Sequence, residues 1–539
     1  HESPVLSRVR TLSRAARADT AGNYPVSFPY AIGYRDLQPA GSIMRTIAAL
    51  LVVIAVSAAD DWSNSGGNAW RNGLSMELGP LEANLLWSGG RNSIISWLPV
   101  SEGNRLFLVR QNAWPGTPGD SPVVCMNLMT GGELWTADLP FETGDWITWV
   151  GGVSEGLVYA SRGGNGASVS APLYALDAED GGIAWVSAFE IDAGSYDGMV
   201  FAEDGDPIIA SFQDIWRVDS EDGSLEWHAS RTGSVSGQCG GCLSGDAFYV
   251  VDAAPGGHRV VRYDAVTGAE MYEGSLMPGF TAQCTPMAGA DGAVYFNRSQ
   301  DNSGVDFFYA FRDSAGALTE SWHIPTVNAC APEFGIGPDG SLYFVIPGPR
   351  LARVSPSDGS IINQTDVLQD YDAARISIGA DGAVYFSNGC FGQGRLCAFT
   401  ADLSPLWDVP VPNINIGGPA LCQGGMLVVC GTGTDVRVYA PSSGIPEGAA
   451  RTPSSLSVLP NPSSGAVTVT IPSWSGGTAE VTVLDLSGRL IRVLPTDPSV
   501  GWEIQWDGRD SSGRTVPAGA YLVRVVSGAL NAETMLVRL

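Results

Sequence analysis

Ala175-Leu176-Asp177-Ala178-Glu179-Asp180-Gly181-Gly182-Ile183-Ala184-Trp185 holds, in eleven residues, the unit from which most of this 539-residue chain is built. Counted back from the tryptophan, Gly stands at four, Asp at five and Asp at eight. The same spacing recurs in Asn127, Thr130, Gly131, Trp135 and in Asp219, Asp222, Gly223, Trp227. It returns in Asp264, Thr267, Gly268, with Tyr272 in the aromatic place. The pattern predicts a β-hairpin: Asp or Asn ends one strand, Gly takes positive φ in the turn, and the next strand begins. The aromatic then has a large area to bury between neighbouring repeats.

Outward from this unit, apolar strands recur at intervals of 40 to 51 residues, centred on Phe107, Val158, Ile208, Phe248, Val294, Leu342, Val384 and Leu427. A period of that length with several strands per repeat predicts a β-propeller, one blade per repeat. Later copies decay: Asp313 and Trp322 enclose a longer turn, Gly359 is followed four residues on by Asn363, and Trp407 follows a shortened turn. The eighth copy, Val436-Arg437-Val438-Tyr439, has no tryptophan strand behind it, whereas Leu85-Leu86-Trp87 is such a strand without a blade. The N-terminal strand is therefore expected to complete the last blade and remove the exposed edges. The expected fold class is all-β: an eight-bladed β-propeller followed by a small Ig-like β-sandwich. The degenerate sixth copy leaves a seven-bladed ring as the other count.

On the residues just quoted, the repeat resembles that of the quinoprotein-type, or PQQ-like, propellers, over roughly residues 60–447. That superfamily implies the fold and little else, because it includes both pyrroloquinoline-quinone alcohol dehydrogenases and members without a cofactor, such as the outer-membrane assembly lipoprotein.

Composition narrows the chemistry. All 29 basic residues are Arg, so Schiff-base chemistry is excluded. The formal net charge is −27; residues 1–59 carry six of the arginines and three of the acids, which leaves 23 Arg against 53 acids in the remainder. Such a surface repels nucleic acid and anionic lipid and keeps an exported protein soluble. Residues 44–59 read as a signal peptide: Met44-Arg45-Thr46, an apolar run Ile47 to Val56, and the small residues Ser57-Ala58-Ala59, with cleavage expected after Ala58 or Ala59. The run is too short to span a membrane, and no Cys follows it to carry a lipid. Residues 1–43, Arg-rich and unpatterned, are expected to be an over-extended gene start that stays disordered, with a long leader as the alternative.

Residues 448–455 have a linker composition. From Leu456 to Leu539 strands return, as in Val467-Thr468-Val469-Thr470-Ile471, and about seven of them predict an immunoglobulin-type sandwich. Leu459-Pro460-Asn461-Pro462, Val483-Leu484-Asp485-Leu486-Ser487-Gly488-Arg489, Trp506-Asp507-Gly508-Arg509-Asp510 and Pro517-Ala518-Gly519-Ala520-Tyr521 resemble the C-terminal sorting domains of type IX secretion cargo. They equally resemble the Ig-like domain of the flagellar hook-capping protein. The cargo domains often close on Lys-rich strands, which this chain lacks. The resemblance implies export, with the secretion machinery as a partner of residues 456–539.

No Cys-Cys dipeptide of the kind a PQQ dehydrogenase carries is present, and no cofactor or metal is expected. The histidines are His1, His228, His258 and His323; His228 and His323 follow blade tryptophans, which repeat structure explains better than a catalytic triad does. Paired-carboxylate chemistry has too many acids to choose from. Disulfides are the default in an exported protein: Cys390 with Cys397, Cys422 with Cys430, and Cys239 with Cys242 are candidates. Aligned on their blades, Cys239, Cys242, Cys284 and Cys330 fall near one channel mouth. Cys125 reads as a buried small apolar residue. Trp97, Trp114 and Trp149 are candidate ligand-binding aromatics, against inter-blade packing for the first and third. The expected function is a secreted or cell-surface binding or scaffold protein for an extracellular polymer or protein partner, without nucleic acid and without a membrane span in the mature chain. The alternatives are a polysaccharide hydrolase or lyase and a structural surface-layer component.

Overall fold

The computed structural model describes residues 61–538 except 92–98, 112–115, 118, 120, 165–168, 193–197, 232–238, 279–284, 301–304, 315, 328–333, 370, 372–373, 390–393, 412–416, 431–434, 442–456, 460–462, 464, 471–479, 486–488, 495–502, 518 and 528–529. Within these residues the chain is almost entirely β, and no helix is long and apolar enough to cross a membrane.

Among the described residues eight antiparallel sheets follow one another up to Tyr439, each built on four consecutive strands except the last. The sheet of the opening motif is typical: Ile147–Ser154, Leu157–Gly163, Ser170–Asp177 and Ile183–Asp192, paired in that order. Second strands such as Leu342–Ile346 and Met426–Cys430 are buried along their whole length because sheets cover both faces. The first strand of the first sheet, Val100–Glu102, packs against both Ile147–Ser154 and Gly417–Cys422, so the sheets form a ring. The ring closes as the sequence predicts. Leu85–Arg91 pairs antiparallel with Asp435–Tyr439, with Trp87 opposite Val438, and supplies the outer strand of the eighth sheet.

The repeat motif builds the seams between sheets. Asn127 Oδ1 accepts the amides of Met129 and Thr130, and the Gly131 amide closes the turn on Asn127 O at 2.8 Å. On five of the outer strands the indole Nε1–H donates to the residue that opens the next sheet's turn. Trp87 reaches Leu128 O at 2.8 Å, Trp135 Ala178 O at 3.1 Å, Trp185 Ser220 O at 3.0 Å, Trp227 Ala265 O at 3.1 Å and Trp322 Pro356 O at 3.0 Å. The turn glycine lies flat under that ring. At Gly223, φ is +74° and an added Cβ would sit 2.4 Å from Trp185. Glycine is required there both by the backbone and by the approach of the ring.

The second domain has two sheets: Ser457–Leu459, Val467–Thr470 and Glu503–Trp506 in one, and Leu490–Leu494, Glu480–Asp485, Gly519–Ser527 and Leu530–Arg538 in the other. Its core gathers Val467, Val469, Val481, Val483, Trp506, Val523 and Leu536. Tyr521 donates its hydroxyl to Pro517 O at 2.8 Å, fixing the corner before its strand.

Candidate functional site

The first strand of each blade has one edge without a neighbour in its own sheet, and its amides need acceptors. Residues 61–75 supply them. Ser101, Val153, Leu243, Ala288 and Ile336 donate their backbone N–H to the carbonyls of Trp62, Ser63, Ala69, Trp70 and Asn72, each at 2.9 Å, and Ile378 donates to Gly73 O at 2.8 Å. The donors belong to blades one, two, four, five, six and seven, so the segment passes along the inner strands in blade order. Ala69 packs against the apolar cluster of blades three and four on the way.

The sequence Trp62-Ser-Asn-Ser-Gly-Gly-Asn-Ala-Trp-Arg-Asn-Gly73 suits this path because it turns repeatedly on itself. Gly67 N–H bonds Asn64 O at 3.0 Å and Arg71 N–H bonds Asn68 O at 3.0 Å, with Arg71 itself at φ +56°. Asn64 Nδ2 donates to Asn68 O at 2.9 Å, and Asn68 Nδ2 donates to Asn72 Oδ1 at 2.8 Å. Trp62, Asn64, Arg71 and Asn72 are buried, and Asp61 Oδ1 accepts the Gly103 amide at 2.7 Å. The inner edge of the ring is thus filled by the chain's own N-terminal segment. Sequence reasoning missed this. A Gly/Asn/Ser stretch with no period of 2 predicts no strand, and its only signal was its position just ahead of the closing strand.

Four blades carry a buried polar side chain at one register position, four residues beyond the strand centre: Gln111, Arg162, Asp252 and Asn388. Each ties down a connection that leads into an inner strand. Gln111 Nε2 donates to Trp146 O at 3.1 Å and Asn388 Nδ2 to Gln369 O at 3.0 Å. Arg162 pairs with Asp145 and, at 3.1 Å, with Glu142; Asp252 accepts Arg231 Nε at 2.7 Å. Blades two and four therefore use the same ion pair with the charges exchanged. Such pairs specify one arrangement of the connection more than they add stability.

The candidate residues distribute as follows. Trp149 lies on an inner strand, is fully buried, and donates Nε1–H to Arg162 O at 3.2 Å, so its ring faces are core. Trp97, Trp114, Cys284 and Cys330 lie outside the described residues, as does Cys390. Cys239 and Cys242 are both buried at the entry to one inner strand. The expected Cys239–Cys242 bridge is not formed. Cys242 is a free thiol directed into the core between blades four and five, while the Cys239 carbonyl takes the Arg231 guanidinium. Cys430 is also free: register places it opposite Gly417 while Cys422 faces Met426, and no bridge joins the two. Cys397 is a free thiol that donates to Asp408 Oδ1 at 3.6 Å; burial first, and then that carboxylate, pushes it up to about 12. Cys125 is buried as expected, and desolvation pushes its thiol up to about 12.

Among the described residues the histidines do not assemble a nucleophile. His228 Nε2 and Ser230 Oγ both bond the same oxygen of Asp214, at 2.8 and 3.0 Å, so the hydroxyl is set on the carboxylate and not on the imidazole. His323 Nδ1 bonds Glu320 at 2.6 Å on an exposed outer strand, and His258 is buried. Among the described residues no three His, Cys, Asp or Glu side chains group as metal ligands.

Residues 119–365 match the family model described as outer membrane protein assembly factor BamB, and residues 453–529 match the FlgD Ig-like domain. No curated protein matches the chain. Among solved structures, BamB from Moraxella catarrhalis is similar at 15% identity and TM-score 0.45, over 67% of this chain and 98% of that one. A quinohemoprotein alcohol dehydrogenase from Comamonas testosteroni is similar at 14% identity and TM-score 0.46, over 75% and 84%. PorZ, a surface component of the type-IX secretion system of Porphyromonas gingivalis, is similar at 13% identity and TM-score 0.38, over 84% and 70%.

Proposed function

We propose that this protein is an exported scaffold of the bacterial cell surface or envelope, a non-catalytic PQQ-like propeller delivered by its leader and by a sorting-type Ig-like domain. The observation that carries this reading is the seating of residues 61–75 along the inner strands. A ring whose inner edges are occupied by its own chain is suited to holding partners on its outer surfaces. The pairing of a BamB-type repeat with a FlgD-type Ig-like domain supports a surface or scaffold role. In this reading Met44 to Ala59 is removed on export, Asp61 starts the fold immediately afterwards, and residues 456–539 address the secretion machinery.

The test is cell fractionation in a diderm host that owns a type IX system. The full chain should reach the surface or the medium, and a chain ending at residue 447 should stop in the periplasm, folded. Equal distribution of the two would refute the sorting role. A thermal-shift screen of both chains with pyrroloquinoline quinone and Ca²⁺ should leave the transition unmoved. A ligand present at 100 times its Kd would add about 2.7 kcal/mol, and a shift of that kind would replace the scaffold with a cofactor enzyme.

A further inference from the structure

The turns that join first to second strands, and third to fourth, lie together at one end of each of the first seven blades, and that end is acidic. Six consecutive blades present an exposed carboxylate in the first of these turns: Glu155, Asp204, Asp246, Asp291, Asp339 and Asp381. Third-to-fourth turns add more, including Glu179, Asp180, Glu221, Asp222, Asp358 and Asp402, all exposed. In blades three to six one arginine of the third strand reaches the carboxylate of the first turn (Arg217, Arg262, Arg312 and Arg353), which leaves acids in excess over bases.

Across the same end runs a strap, residues 76–84, that links the segment 61–75 to the closing strand Leu85–Arg91. Its backbone is pinned: Ala380 N–H donates to Glu77 O at 3.0 Å, Trp407 Nε1 donates to Pro80 O at 2.9 Å, and Ala440 N–H donates to Asn84 O at 2.9 Å. Leu78 O lies so close over Gly425 that an added Cβ would sit 2.0 Å from it. Yet its apolar side chains are turned outward, Met76 at 73% exposure, Leu78 at 59% and Leu81 at 52%. An ordered backbone that presents large apolar side chains to water, with Glu77 and Glu82 on the same segment and Asp381 next to the Ala380 that bonds it, marks an interaction surface.

We propose that this end of the propeller is a docking surface for a cationic protein segment that carries apolar side chains. The apolar side chains would lie on Met76, Leu78 and Leu81, and the cations would meet the turn carboxylates around them. The net charge of −27 opposes a second copy of this chain as the occupant. The proposal is independent of how the chain is exported.

The test uses the mature chain, residues 60–539, and three synthetic fifteen-residue peptides, one alternating Leu and Lys, one alternating Ser and Lys, one alternating Leu and Glu. The Leu/Lys peptide should bind at least tenfold more tightly than either other, and weaken as salt rises from 50 to 500 mM. The exposed double variant Leu78→Ser/Leu81→Ser should keep the fold and its affinity for the Ser/Lys peptide while losing about tenfold for Leu/Lys. Equal binding of the two cationic peptides would reduce the attraction to bulk charge and overturn the proposal. So would an unchanged double variant, or a dimer in sedimentation that the double variant dissociates.

Discussion

Two kinds of seam hold the ring together. Between most blades an indole donates to the next turn's carbonyl over a glycine. At the fourth and sixth blades the indole is gone, and other chemistry bridges the same gap. Tyr272 takes its place in the fourth and gives its hydroxyl to Asp313, which also accepts Tyr249 OH at 2.6 Å and forms an ion pair with the Arg262 guanidinium at 3.2 Å; that guanidinium lies over the Tyr272 ring at 5.4 Å. In the sixth, Asn363 Nδ2 donates to Asp402 O at 2.5 Å, and Arg353 pairs with Asp402 at 2.6 Å. The bond across the seam is retained in both; Tyr272 stays half-buried against the core, whereas Asn363 is exposed and buries little. The indole seams should therefore depend on packing, and the substituted seams on charge.

The largest effect should come from Trp185→Ala. It removes a buried ring and its bond to Ser220, and should cost about 3–5 kcal/mol in chemical denaturation of the propeller. A cost near 1 kcal/mol would mean that the hydrogen bond alone holds the seam. Next is Gly223→Ala, where positive φ alone costs about 1–2 kcal/mol and the collision with Trp185 adds to it. Gly292→Ala, at φ +75° with nothing within 4 Å of its Cβ, should show only the backbone cost. Equal losses at the two glycines would remove the ring's role.

The tyrosine seam should show itself in pH. Burial first, then the Asp313 bond, raises Tyr272 above the ordinary phenol value, and the same causes raise Tyr249. A raised folded-state pKa gives stability that is complete below the unfolded phenol value of about 10 and is lost as pH rises above it. Melting temperatures should thus fall above about pH 10, and the double variant Tyr249→Phe/Tyr272→Phe should flatten that fall. An unchanged slope would place the alkaline loss elsewhere. The smallest effect is expected from Asn363→Ala, about 1 kcal/mol or less, because its side chain is exposed and buries little. A loss as large as that of Trp185→Ala would erase the distinction between the seams.

The eight strand centres, the hairpin motif and the closing role of Leu85-Leu86-Trp87 were legible because each is written as a period or as a gap in one. The seven Ig-like strands were legible for the same reason. Residues 61–75 were not, since a segment that satisfies edge amides with its backbone needs no apolar pattern. The carbonyl of Pro80 that receives Trp407 was hidden likewise, because the eighth blade has no turn of its own to offer. The polar anchors Gln111, Arg162, Asp252 and Asn388 share a position but not a residue type, so repeat alignment passes over them. Cysteine spacing suggested bridges, whereas register decides that Cys422 and Cys430 face other residues.

The central claim is that the chain's own N-terminal segment closes the inner edge of the ring. Residue-resolved hydrogen exchange on residues 60–539 tests it directly. The amides of Ser101, Val153, Leu243, Ala288, Ile336 and Ile378 should exchange as slowly as amides bonded within the sheets. Fast exchange at these six, with the sheets still protected, would mean that residues 61–75 do not sit there and that the ring is open.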